Sequence, residues 1–151
     1  MPLHVALYEP EIPWNTGNIG RTCVATGSTL HLIGRLGFDL SQKEIRRSGM
    51  DYWPRLSLKR HENLAAFESE LPKNARVLVF STRGKKTLWE APFCRDSYLL
   101  FGRESSGLPE AVHKRYAESI YRIPMLEEAR SLNLSTAVAV ALYEGWRQTR
   151  E

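Results

Sequence analysis

Cysteine is nearly absent from this chain of 151 residues: Cys23 and Cys94 stand far apart, and neither belongs to a CxxC pair. Two isolated thiols exclude a disulfide-stapled scaffold, and the expectation is a reduced, cytoplasmic protein. The four histidines, His4, His31, His61 and His113, are scattered without ligand spacing, so no metal is expected. No apolar run is long enough to span a bilayer, and Met1-Pro2-Leu3-His4 lacks the charged and apolar regions of a secretion signal. No membrane partner is expected. Several catalytic signatures are missing as well. No GxGxxG follows the first apolar segment, and no GxSxG occurs. Gly84-Lys85-Lys86-Thr87 hints at a phosphate-binding loop, but Val79 stands where the leading glycine belongs. Repeats and low-complexity stretches are also lacking.

What is present fits one domain over residues 1–151 that buries a core without staples. The net charge of +4 is compatible with a polyanionic partner, although mildly basic cytosolic proteins are common. Short apolar runs alternate with helical patterns. Strands are expected at His4–Tyr8, Thr29–Ile33, Leu56–Lys59, Arg76–Ser81, Tyr98–Phe101 and Ile120–Ile123. Helices are expected at Gly17–Thr26, Ser41–Arg47, Asn63–Leu71, Pro109–Tyr116 and Leu134–Arg147. Strands separated by helices predict an α/β fold with a mostly parallel sheet, whose ligands bind beyond the carboxyl ends of the strands. The loops to inspect are therefore residues 9–20, 81–87, 102–107 and 124–133.

Three of these loops carry polar clusters. Asn15-Thr16-Gly17-Asn18-Ile19-Gly20-Arg21 combines glycines, which let backbone approach a ligand, with a guanidinium suited to phosphate; it also reads as a turn with a helix cap. Leu100-Phe101-Gly102-Arg103-Glu104-Ser105-Ser106-Gly107-Leu108-Pro109 sets a carboxylate and two hydroxyls among glycines. It also reads as a capped βα loop, with Ser106 or Gly107 as cap and Pro109 starting the helix. Ile123-Pro124-Met125 with Arg130-Ser131-Leu132-Asn133-Leu134-Ser135 opens the last helix, where Asn133 or Ser135 alone would serve as cap. Arg46-Arg47, Lys59-Arg60-His61 and Arg83–Lys86 lie near Tyr52-Trp53 and Trp89. Such clusters fit RNA phosphates and unstacked bases, or a solvated surface over core aromatics. On the last helix, Leu134, Ala137, Val138, Ala141, Leu142 and Gly145 share one face, while Val140 and Tyr143 carry apolar character round it. A terminal helix apolar on two sides is either deeply buried or also serves a subunit interface, and the interface is favoured.

In combination, NTGNIGR, FGRESSGLP, and IPM with SLNLSTA resemble the SPOUT superfamily, specifically its TrmH-like branch of RNA ribose 2′-O-methyltransferases. LYEPEIPWNTGNIGR, RRSGMDYW and LYEGWRQ look most like the TrmL-type tRNA (cytidine/uridine-2′-O)-methyltransferases within it. The likeness runs over essentially the whole chain. It implies an α/β, SPOUT-type parallel-sheet sandwich with a C-terminal deep trefoil knot, a feature that general topology rules disfavour. It implies S-adenosyl-L-methionine as cofactor, the anticodon stem-loop of leucine tRNA as substrate, and a homodimer through the C-terminal helix. The cofactor-binding residues it implies are Phe80, Ser81, Thr82, Gly102, Ile123, Met125, Ser131, Leu132 and Asn133; the catalytic ones are Arg21, Asn15, Glu104, Ser131 and Asn133. Trp14 departs from the proline frequent in relatives, which bears on loop shape and base stacking. A ribosomal RNA target and a non-catalytic RNA-binding role are the competing readings.

Overall fold

The computed structural model describes residues 3–40 and 52–150. The helix expected at Ser41–Arg47 and the basic pair Arg46-Arg47 lie outside the described residues. Seven strands, β1 (His4–Tyr8), β2 (Thr29–Ile33), β3 (Ser57–His61), β4 (Val77–Phe80), β5 (Lys86–Thr87), β6 (Tyr98–Phe101) and β7 (Ile120–Arg122), form one sheet in the order β3-β2-β1-β6-β4-β7-β5. Every ladder between them is parallel. The α-helices among the described residues are α1 (Pro13–Thr26), α2 (Leu64–Ser69), α3 (Glu110–Arg115) and α4 (Leu134–Thr149). Among the described residues no helix is long and apolar enough to cross a membrane.

The two-residue period of the strands sorts their side chains into two cores. Val5 and Leu7 of β1, Leu99 and Phe101 of β6, and Leu78 and Phe80 of β4 point to one face, where they meet Ile19 and Cys23 of α1 and Val138 and Leu142 of α4. Ala6, Val79 and Leu100 point to the other, against Phe67 of α2 and Val112 of α3. Both faces are covered, as a parallel sheet requires. Burial raises the Cys23 thiol to about 12, so it behaves as a small apolar group. Gly145 lets α4 close on this layer: a Cβ there would stand 2.7 Å from a Phe93 ring carbon. Val140, Tyr143 and Trp146 of α4 remain exposed.

The second core contains a histidine ladder across three adjacent strands. His4 Nδ1 lies 2.9 Å from His31 Nε2, and His31 Nδ1 lies 2.9 Å from His61 Nε2. Glu70 stands 2.7 Å from His61 Nδ1 at one end, off the line of a hydrogen bond, and Asp96 3.8 Å from His4 Nε2 at the other. Burial, with His4, His61 and Lys59 adding to it, pushes His31 down to about 3. It is therefore neutral in the fold at ordinary pH.

Several boundaries differ from the sequence expectation. α1 begins at Pro13, so the Asn15–Arg21 segment lies inside the helix and not in a loop before it. Proline at the first helical position sets that start. Gly20 serves packing: a Cβ there would stand 2.9 Å from the Trp53 ring. β3 runs Ser57–His61, and β5, short and paired only to β7, occupies the end of the stretch expected as loop 81–87. α3 starts at Glu110 with Pro109 as the flanking residue; neither Ser106 nor Gly107 caps it.

Candidate active site

The strand order reverses direction between β1 and β6, and the loops past the carboxyl ends of β4, β6 and β7 gather on one side of that point. A cavity of about 550 Å³ lies there, within the range of small-molecule and cofactor sites. Its floor is the ends of β4 and β6, and its walls are the loop after β7 and the segment that enters α4. All nine residues expected to hold a cofactor line it: Phe80, Ser81 and Thr82; Gly102; Ile123 and Met125; and Ser131, Leu132 and Asn133. Gly102 is required by a close approach, since a Cβ there would come within 2.4 Å of the Gly107 backbone. Gly107 itself holds a φ of 68°, and the pair of backbone bonds between it and Arg103 (3.0 and 3.1 Å) pinches the loop into a tight turn.

Two carboxylates lock this loop to the start of α1 by reciprocal capping. Glu104 accepts the backbone N–H groups of Glu11 at 2.9 Å and Ile12 at 3.0 Å, at a helix entry whose own cap residue supplies no side-chain bond. Glu11 in turn accepts the Ser105 N–H at 2.9 Å, the Ser105 hydroxyl at 2.7 Å and the Arg103 guanidinium at 3.2 Å. The Ser105 bonds, with Arg103 beside them, hold the Glu11 carboxyl below its ordinary range.

A polar chain continues into the cavity. Asn15 Nδ2 donates to Glu104 at 3.3 Å, and Asn15 Oδ1 accepts from Asn133 Nδ2 at 3.1 Å. Asn133 Oδ1 caps α4, taking the Ser135 N–H at 2.9 Å and the Ser135 hydroxyl at 2.6 Å. Asn133, and not Ser135, is therefore the cap. Of the five residues expected to be catalytic, Asn15, Glu104 and Asn133 are joined in one chain, and Ser131 lies beside them on the cavity wall. Arg21 is apart: it does not line the cavity, it is exposed, and its guanidinium rests 4.8 Å from the centre of the Tyr52 ring. Asn15 and Glu104 bond to the loop and to Asn133, and among the described residues Arg21 rests on Tyr52 and not on them.

Sequence reasoning missed Glu11 and His113. Glu11 sits between Pro10 and Pro13 just past a strand end, a position where a carboxylate with no helical role is a signal. His113 carries no such mark, because it reaches the cavity from α3.

Comparison with known proteins gives one consistent result. The profile of the SpoU rRNA Methylase family matches residues 2–143. A tRNA (cytidine(34)-2′-O)-methyltransferase of Escherichia coli strain K12 is 44% identical, covering 97% of this chain and 93% of that protein. One of the same name from Aeromonas hydrophila is 47% identical, covering 97% and 94%. A solved structure described as giving insight into 2-OH methylation of C/U34 on tRNA superposes with a TM-score of 0.93 at 53% identity, covering 97% of this chain and 95% of that one. An AdoMet-bound rRNA methyltransferase from Sinorhizobium meliloti superposes with a TM-score of 0.89 at 28% identity, covering 99% of this chain and 57% of that one.

Proposed function

The chain belongs to the SpoU rRNA Methylase family, and from that premise we propose that it is an S-adenosylmethionine-dependent tRNA ribose 2′-O-methyltransferase acting at nucleotide 34. The cavity at the strand ends, continuous with the Glu104–Asn15–Asn133 chain, carries the cofactor site, and the relatives named for position 34 of tRNA support the target. The finer reading is a wobble cytidine or uridine in leucine tRNA. It includes a C-terminal trefoil knot around the pocket, a single SPOUT domain over residues 1–151, and a cytoplasmic homodimer joined through α4, whose exposed Val140, Tyr143 and Trp146 form an apolar stripe.

The residues present suit the cofactor. Phe80, Ile123, Met125 and Leu132 offer apolar surface for an adenine, and Ser81, Thr82 and Ser131 bring polar side chains to the same cavity. When bound, S-adenosylmethionine supplies a methyl group on a sulfonium, already bonded to a good leaving group. Much of the remaining work is positioning, a large contribution to any two-body reaction. Ser131 and Asn133 hold the cofactor and the ribose. Asn15 and Glu104 keep Asn133 and the 103–107 loop in place. The Arg21 guanidinium is a better phosphate ligand than general base. Its role here is to grip RNA phosphate and orient the 2′-hydroxyl, the proton leaving by another route.

The test is transfer of labelled methyl from S-adenosylmethionine to unmodified tRNA, followed by nucleoside mapping. Label in 2′-O-methylcytidine or 2′-O-methyluridine at position 34 supports the reading. Label only in ribosomal RNA would replace it with the ribosomal alternative, and cofactor binding with no transfer to either RNA would favour a non-catalytic binder.

A further inference from the structure

The cavity wall at Ser81–Arg83 is tied to α3 by a residue that no motif singles out. His113 is 9% exposed and lines the cavity, with its Nε2 3.0 Å from Ser81 Oγ. Ser81 Oγ also accepts the Arg83 backbone N–H at 3.1 Å. His113 Nδ1 lies 3.3 Å from the Pro109 carbonyl one turn back. One turn earlier on α3, Glu110 takes the Arg83 guanidinium through both oxygens, at 2.7 and 3.2 Å. The other side of the segment is fixed to β7. The Ser81 N–H meets the Tyr121 carbonyl at 3.0 Å, and a Cβ on Gly84 would stand 2.6 Å from the Tyr121 backbone.

We propose that His113 is a positioning residue for the cofactor, fixing the Ser81 hydroxyl so that it presents a hydrogen-bond acceptor to the cavity. This rests on the reading of the cavity as the S-adenosylmethionine site. A serine hydroxyl has one proton and two lone pairs. His113 Nδ1 lies closer to the Pro109 carbonyl, at 3.3 Å, than to Arg83 Nη1, at 3.4 Å, and the ring proton is assigned to that carbonyl. Nε2 then accepts the Ser81 proton. One Ser81 lone pair is taken by the Arg83 N–H, which leaves the other for a group held in the cavity that Ser81 lines. The cofactor group met there is an N–H or O–H donor. His113 acts through the Ser81 hydroxyl, so its effect falls on cofactor binding and not on the methyl-transfer step.

Calorimetric titration of S-adenosylmethionine into the full chain tests this, with methyl transfer to tRNA measured in parallel. His113→Ala is expected to raise the cofactor Kd about three- to tenfold, the worth of one hydrogen bond, with kcat at saturating cofactor within about twofold of the unmodified protein. His113→Gln, whose amide oxygen can accept from Ser81, recovers most of the loss. Ser81→Ala raises Kd by a similar factor, and the double variant is no worse than either single one, because both remove the same contact. Should His113→Ala lower the melting temperature, the Gln and Ser81→Ala variants carry the same comparison on a folded protein. Unchanged Kd in His113→Ala, or additive losses in the double variant, would overturn the role of His113. Failure of the unmodified protein to bind the cofactor would instead bring down the reading of the cavity.

Discussion

Glu11 and Glu104 cap each other's loops: Glu104 accepts the backbone N–H groups of Glu11 and Ile12, and Glu11 accepts that of Ser105. The two loops leave neighbouring parallel strands, β1 and β6, so one clasp sets both the entry of α1 and the turn that lines the cavity. Glu104 is thus occupied with holding Glu11, Ile12 and Asn15, and it acts as structure beneath the site. Glu104→Gln replaces one accepting oxygen by a donor facing N–H groups. The expected result is a fall in kcat/KM of about tenfold or more, from the loss of charge-assisted bonds, measured by initial-rate methyl transfer. Wild-type kinetics in this variant would show that the clasp does not support the site.

Asn133 does two jobs with two ends of one amide, and they separate by substitution. Oδ1 caps α4, and Nδ2 reaches Asn15. Asn133→Ala removes both, and should cost about 1 kcal/mol of stability together with activity. Asn133→Asp keeps the cap and loses the donor, so its melting temperature should stay near that of the unmodified protein while methyl transfer falls. Thermal denaturation and rate measurements on the same preparations check this; parallel loss of both properties in the Asp variant would show that the Asn15 contact carries no separate function.

Most of the strand-and-helix pattern is legible in the sequence because its apolar periods are strong. Val5, Leu7, Leu99 and Phe101 announce their strands. β5 was not legible, since Lys86-Thr87 is too short for a period and exists by pairing with β7. The start of α1 was misplaced because Gly17 and Gly20 suggest a loop, whereas Gly20 makes room for Trp53. The cavity lining was legible through resemblance. The ties of Glu11 to Ser105 and of His113 to Ser81 were not, because they join residues 94 and 32 positions apart. The histidine ladder was hidden for the same reason, and scattered histidines became a row only when β1, β2 and β3 aligned.

That ladder sets an acid limit on stability. His31 is lowered from 6.5 to about 3 in the fold, chiefly by burial, so below 6.5 the unfolded chain binds a proton that the folded chain refuses. The stability of the neutral ring is fully present above pH 6.5 and is lost as pH falls towards 3, at up to about 1.4 kcal/mol per pH unit. Glu11, held low by Ser105, works in the same direction at lower pH. Urea midpoints should therefore fall between pH 7.5 and 5.5. A midpoint that holds steady or rises over that interval contradicts the neutral ladder.

The exposed stripe on α4 predicts the assembly. Tyr143→Asp with Trp146→Asp places charge on surface that is 47% and 42% exposed in the single chain, so the fold should survive. Sedimentation should show a dimer for the unmodified protein and a monomer for the double variant. A monomer in both cases removes α4 as an interface.

The most direct test of the central claim compares Arg21→Ala with the unmodified protein for S-adenosylmethionine binding and for methyl transfer to nucleotide 34 of tRNA. Arg21 lies off the cavity and is exposed, so cofactor affinity should be unchanged while transfer is abolished. Near-normal turnover in Arg21→Ala, or no label at position 34 with the unmodified protein, would contradict the account.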